Sequence, residues 1–184
     1  MDSPLRILEG AYLRDILDQP RALRETLARL AVTRPLESLA GRLADSGFRR
    51  VVLTGMGSSL HGLVPLQLRL IEAGHTVAAV DCSELLHYQQ RLLEDDTLLV
   101  LVSQSGRSAE VVRLLEAVRG RGVVTVGVTN TLDSPLAAQA DAVVLTHAGE
   151  EATVACKTSL AAQLALAFLG ELLTRGDPGT AHVA

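Results

Sequence analysis

The sequence has no tryptophan, two phenylalanines and two tyrosines, so aromatic side chains cannot carry its core. Apolar residues still make up 48% of the chain, almost all Leu, Val and Ala, and aliphatic cores of this kind suit parallel sheets covered by helices. Lysine is just as scarce: Lys157 stands alone, and the other basic residues are arginines scattered singly or in pairs. With a net charge of -4, a pI near 5.7 and no basic cluster, the chain offers little to a nucleic-acid backbone, so no nucleic-acid partner is expected. Arg49-Arg50 and Arg119-Gly120-Arg121 fit strand and helix ends instead. Cys82 and Cys156 sit in no CxxC or CxxH spacing, which points to neither a disulfide framework nor a metal site, and no cofactor is expected. No run approaches the ~20 apolar residues of a membrane span, and Met1 to Gly10 lacks the positive-then-apolar order of a signal peptide. A soluble, cytoplasmic protein without a membrane partner is the expectation.

At 184 residues the chain is long enough for one well-buried domain. Three divisions are expected: an N-terminal helical arm over 1–47, a ligand-binding domain over 48–176 and a flexible tail over 177–184. In the arm, helices are expected over Ala11 to Leu17, from Pro20 with Leu23, Leu27 and Leu30 at helical spacing, and over Pro35 to Ala44. From residue 50 short β-branched runs alternate with amphipathic stretches, the pattern of repeated βαβ units. Strands are read at Arg50 to Thr54, Thr76 to Val80, Thr97 to Val102, Val123 to Val128 and Ala142 to Thr146. Helices are read at 59–73, 83–93, 107–120, 134–139 and 157–174. The Gly-Asp-Pro-Gly of the tail cannot continue a helix.

In an open parallel sheet, ligands bind beyond the carboxyl ends of the strands where successive connections leave to opposite faces. Two turns then matter: Thr54-Gly55-Met56-Gly57-Ser58-Ser59-Leu60-His61 after the first strand, and Ser103-Gln104-Ser105-Gly106-Arg107-Ser108 after the third. In a flavodoxin-like strand order 2-1-3-4-5 these strands are neighbours, and both turns converge on one crevice. Each supplies hydroxyls, a glycine and free amides at a helix start, which is what a phosphate needs. The alternative is that the serines only cap helices and complete turns. A dinucleotide site is disfavoured: Gly55 and Gly57 follow a strand and Asp81 follows the next, but Leu60 stands where the third glycine belongs. No glycine is followed by Lys-Ser or Lys-Thr in the spacing of a Walker loop.

These stretches resemble the SIS (sugar isomerase) domain family, in particular the first SIS half of the isomerase part of glucosamine-6-phosphate synthase and related phosphosugar isomerases. The family pattern is approximately Gly-Thr-Ser-Tyr-His after strand one, Ser-Gln-Ser-Gly-Glu-Thr after strand three and Ala-Gly-x-Glu-x-x-Val-Ala-x-Thr-Lys after strand five. The matching stretches here are Gly57 to His61, Ser103 to Ser108 and Ala148 to Thr158. Arg107 stands where the family has Glu, and Cys156-Lys157-Thr158 where it has Ser-Thr-Lys. The resemblance implies an α/β three-layer αβα sandwich with a five-stranded parallel sheet.

The resemblance further implies that Ser59, Ser103, Gln104, Ser105 and Ser108, helped by Gly57 and Ser58, hold the phosphate of a sugar phosphate. It puts Val154 and Cys156 near the sugar, with His61 behind the first turn and Glu151, beside Glu150, positioning hydroxyls. Aldose–ketose isomerisation needs a base to move a proton between C1 and C2. Glu72 is the candidate base by its helix position and His87 the candidate ring-opening residue; ordinary solvated roles are the alternative for both. The implied activity is a phosphosugar isomerase or deglycase acting on a hexose phosphate. Two alternatives stand beside it: a non-catalytic sugar-phosphate sensor, or one half of a two-SIS aminotransferring isomerase. Sites of this family are commonly built at subunit boundaries, which implies a homodimer or higher homo-oligomer.

Overall fold

The computed structural model describes residues 10–152 and 154–176. Five parallel strands form its centre: β1 (Arg50–Gly55), β2 (Val77–Asp81), β3 (Thr97–Val102), β4 (Val124–Thr129) and β5 (Ala142–Leu145). Their order is β2-β1-β3-β4-β5, every neighbouring pair parallel. β3 is buried along its whole length, whereas β2, at the sheet edge, is only half-buried. A strand covered on both faces loses access to water on both sides, and so reads as an unbroken Val/Leu run.

Helices α1 (Ala11–Leu17), α2 (Gln19–Arg29) and α3 (Arg34–Ala44) precede the sheet. The remaining helices are α4 (Ser58–His61), α5 (Val64–Glu72), α6 (Cys82–Tyr88), α7 (Ala109–Val118), α8 (Pro135–Gln139) and α9 (Lys157–Arg175). On one face of the sheet Leu36, Leu39 and Leu43 of α3, Leu66 and Leu70 of α5, and Leu166 and Leu169 of α9 pack on Val51, Leu53 and Val100. On the other, Leu85 of α6, Leu114 of α7 and Leu136 of α8 pack on Val52, Leu99 and Leu101. The architecture is therefore the expected three-layer sandwich. The N-terminal arm is built into it, since α3 contributes its whole apolar stripe to the first core.

The helix expected over 59–73 is two helices. Gly62 and Leu63 separate α4 from α5, and Pro65 has no N–H with which to continue a ladder through the break. The helix expected over 83–93 stops at Tyr88 and yields to a short 3-10 turn, Gln90–Leu92. The expected tail 177–184 lies outside the described residues, as does the start of the arm. Among the described residues no helix is long and apolar enough to cross a membrane.

Candidate functional site

Gly55 at the end of β1 is the register partner of Val102 at the end of β3. The chain leaves β1 toward the α5 face and β3 toward the α7 face, so a crevice opens between the turns that follow these two residues. In the first turn Gly57 takes φ +53, a conformation that favours glycine, and turns the chain into α4. The hydroxyls of Ser58 and Ser59 form no hydrogen bond among the described residues. The second turn is tighter. Ser103 Oγ accepts from the Gly106 amide at 3.2 Å and lies 3.3 Å from Ser108 Oγ. Ser105 Oγ accepts from the Arg107 amide at 3.3 Å. Ser108 precedes α7 without capping it, which leaves the first amides of that helix facing the turn. The Gln104 carboxamide is exposed and without a hydrogen-bond partner among the described residues. Ser103 and Ser105 thus complete their own turn, whereas Ser58, Ser59 and Ser108 are not taken up as helix caps.

A narrow cleft of about 30 Å³ opens beside these turns. Ser58, Ser59 and Gly62 form one wall, and Gln104, Thr129, Asn130 and Thr146 form its floor at the ends of β3, β4 and β5. Thr158, Ser159 and Gln163 of α9 close the opposite side, with Ala155 at the rim. Ser103, Ser105 and Ser108 stand just outside this space, in the turn itself. Asn130 braces the floor: its Oδ1 accepts from Thr146 Oγ1 and from the Ala148 amide, each at 2.8 Å, and its Nδ2 donates to the Gly149 carbonyl at 2.8 Å.

Val154 and Cys156 lie after β5 and just before α9, at the same end of the sheet; Val154 is 69% exposed and Cys156 is half-buried. Burial and a hydrogen bond to Glu151 push the Cys156 thiol up, so it rests protonated. Glu151 itself turns toward α9 rather than into the cleft. Its Oε1 accepts from the amides of Cys156 and Lys157, each at 2.8 Å, and its Oε2 accepts from the Thr158 hydroxyl. Burial alone would raise the Glu151 carboxyl; hydrogen bonds from the Thr158 hydroxyl, from Cys156 and from the Thr158 amide outweigh it and lower the value. A carboxylate at the start of a helix meets the positive end of the dipole, so Glu151 holds the loop to α9.

Several expected residues are not brought to the cleft. Glu72 ends α5, which runs antiparallel to β1, so it lies at the amino-terminal edge of the sheet beside Arg69, Ala73 and Arg175. A strand of six residues, about 20 Å, separates it from the serine turns. His87 is exposed in the last turn of α6, on the opposite face of the sheet from α9, against Tyr88 with ring centroids 6.1 Å apart. His61 closes α4 with its side chain exposed. Arg107 donates to the Asp133 carbonyl, so it ties the second turn to the loop after β4.

Sequence reasoning missed the contribution of the arm. Lys157 is 7% exposed and pairs with Asp15 and Asp18, each at 3.0 Å. Burial would lower the Lys157 ammonium, but the hydrogen bonds to Asp18 and Asp15 raise it overall. Asp15 is held low by the Ala152 amide and by Lys157, and Asp18 by Arg21 and then Lys157. A sole lysine in an arginine-rich chain, next to a helix start, was the available sign; its partners, far off in the sequence, could not be named from spacing.

The family model of the SIS domain matches residues 43–169. The chain belongs to the SIS domain family. It is 33% identical over 181 residues to the glutamine–fructose-6-phosphate aminotransferase (isomerizing) of Pyrobaculum aerophilum, a match that covers 95% of this chain and 29% of that one. This SIS chain thus spans under a third of the curated relatives' length. The C-terminal domain of glucosamine-fructose-6-phosphate aminotransferase from Francisella tularensis superposes with a TM-score of 0.78 at 23% identity, over 93% of this chain and 49% of that one. The Vibrio vulnificus NanR protein, solved with ManNAc-6P, gives 0.74 at 20% identity, over 96% and 66%. The fold is shared with both. By sequence, this SIS domain is homologous to part of the glutamine–fructose-6-phosphate aminotransferases.

Proposed function

We propose that this SIS domain binds a sugar phosphate, with the phosphate between turns 57–61 and 103–108 and the sugar over the cleft toward α9. The observation that carries the reading is the register of Gly55 with Val102, which makes two hydroxyl-rich turns neighbours at one end of the sheet. The unbonded Ser58, Ser59 and Gln104 side chains and the uncapped start of α7 favour an anion there without any lysine. The solved NanR protein holds ManNAc-6P on the same fold, which agrees with this ligand class.

The activity that fits is aldose–ketose isomerisation of a hexose phosphate, completed by a second copy. Val64, Leu68 and Ile71 are exposed along α5 next to Glu72. A helix face of that kind suits burial against another chain, which would carry Glu72 to a site it cannot reach within its own. A non-catalytic sugar-phosphate-binding role is the second reading, favoured by the distance of Glu72 and His87 from the cleft. A test by complementation separates the two. Glu72→Gln, which lacks the base, and Gln104→Ala, which is weakened in phosphate binding, should give more aldose–ketose turnover when mixed than either gives alone if sites are shared; binding without turnover in the wild-type chain supports the sensor.

A further inference from the structure

One buried carboxylate holds both ends of the loop on the sugar side of the cleft. Asp15 Oδ2 accepts from the Ala152 amide at 3.0 Å, and Asp15 Oδ1 pairs with Lys157 Nζ at the same distance. The two side chains are only 8% and 7% exposed. Asp18 adds a second bond to Lys157 Nζ at 3.0 Å and is itself forked by Arg21 at 2.6 and 2.7 Å. Between the clamped ends lie Val154, Ala155 and Cys156, and Ala155 lines the cleft. This stretch belongs to no helix or strand, so no backbone ladder fixes it, and its shape depends on these side-chain bonds together with those of Glu151 to the Cys156 and Lys157 amides. The arm supports the neighbouring residues as well. Thr26 of α2 donates to the Thr146 carbonyl, and Ala22 packs between Ala148 and Ala161.

We propose that Asp15 is a positioning residue for the ligand: from the N-terminal arm it fixes Ala152 and Lys157, and so holds Val154, Ala155 and Cys156 against the sugar while the serine turns hold the phosphate. The inference rests on the sugar-phosphate reading of the cleft. The two halves of the ligand are thereby supported by different parts of the chain. Losing the clamp loosens the sugar side only, because among the described residues Gly57 to His61 and Ser103 to Ser108 make no bond to the arm.

The test uses the full chain and calorimetric titration with inorganic phosphate and with fructose, glucose and glucosamine 6-phosphates, taking the tightest sugar phosphate as probe. Asp15→Asn is expected to weaken that probe by about tenfold while inorganic phosphate changes by less than about twofold, and Asp15→Glu should recover most of the loss. Equal losses for both probes, or no loss for the sugar phosphate, overturn the positioning role. If Asp15→Asn does not fold, the double variant Asp15→Asn/Lys157→Met removes the buried ammonium that is left with Asp18 as its remaining partner, and is read by the same criteria. A wild-type chain that binds none of the sugar phosphates removes the site reading itself, and the positioning role with it.

Discussion

Gly106 lies against Ser134 with no room for a β-carbon. A Cβ there would stand 2.7 Å from Ser134 Cβ and closer still to its Oγ, and the glycine has φ +61. Ser134 is fixed in turn, donating to the Thr131 carbonyl at 2.7 Å and capping α8 through the Ala137 amide at 3.2 Å. Gly106→Ala therefore combines a strained backbone with a clash against a neighbour fixed by two hydrogen bonds. A loss of about 2–4 kcal/mol is expected in denaturant unfolding, with phosphate binding lost as the 103–108 turn opens. An unchanged midpoint would show that this turn is not held as described.

Gln104 should behave in the opposite way. Its side chain is exposed and makes no hydrogen bond, although its backbone carbonyl accepts from the Asn130 amide at 3.0 Å. Gln104→Ala is expected to leave the unfolding midpoint within about 0.5 kcal/mol of wild type and to weaken phosphate binding by about tenfold. Ser103→Ala, by contrast, should cost stability of about 1 kcal/mol, because Ser103 is buried and its hydroxyl satisfies the Gly106 amide.

The clamp around Lys157 makes stability depend on pH at both ends. Asp15, Asp18 and Glu151 have carboxyls lowered in the folded chain, from ordinary values of 3.8 for the aspartates and 4.5 for the glutamate. Their contribution is complete above those values and is lost as pH falls below them. Lys157 is raised from 10.5, so its contribution is complete below that value and is lost as pH climbs through the folded value. Thermal unfolding should show a plateau near neutral pH and a fall on each side. In Asp15→Asn/Lys157→Met the alkaline fall should shrink, as should part of the acid one; an unaltered profile would contradict the pairing.

Exposure along α5 leads to an expectation about self-association. Leu68 is 61% exposed and Ile71 48%, beside Glu72. Leu68→Asp should shift the chain toward monomer in analytical ultracentrifugation and leave phosphate affinity within about twofold, since the serine turns lie at the other end of the sheet. A wild-type chain that is monomeric at micromolar concentration would exclude a shared site.

The parallel sheet was legible because strands that are buried on both faces must be continuously apolar, as Leu98 to Val102 are, and the intervening amphipathic stretches force parallel crossovers; its order entered as the flavodoxin-like arrangement and is the one observed. Helix ends were less so. The break at Gly62 depends on local geometry around Pro65 that a periodic pattern of leucines does not reveal. For the candidate site, the serine turns were visible as motifs. The α9 wall was not: Ser159 and Gln163 look like ordinary helix surface until α9 is seen packed beside α4.

From the sequence alone follow the aliphatic α/β fold, the two serine turns and the SIS resemblance, since each resides in residues close together along the chain. Tertiary structure decided the rest. It paired Lys157 with Asp15 and Asp18, turned Glu151 into a tether for α9 and put Glu72 at the far edge of the sheet. Those outcomes depend on which distant segments the packing brings within the few ångströms over which a hydrogen bond or ion pair acts, and spacing in the chain carries no record of that distance.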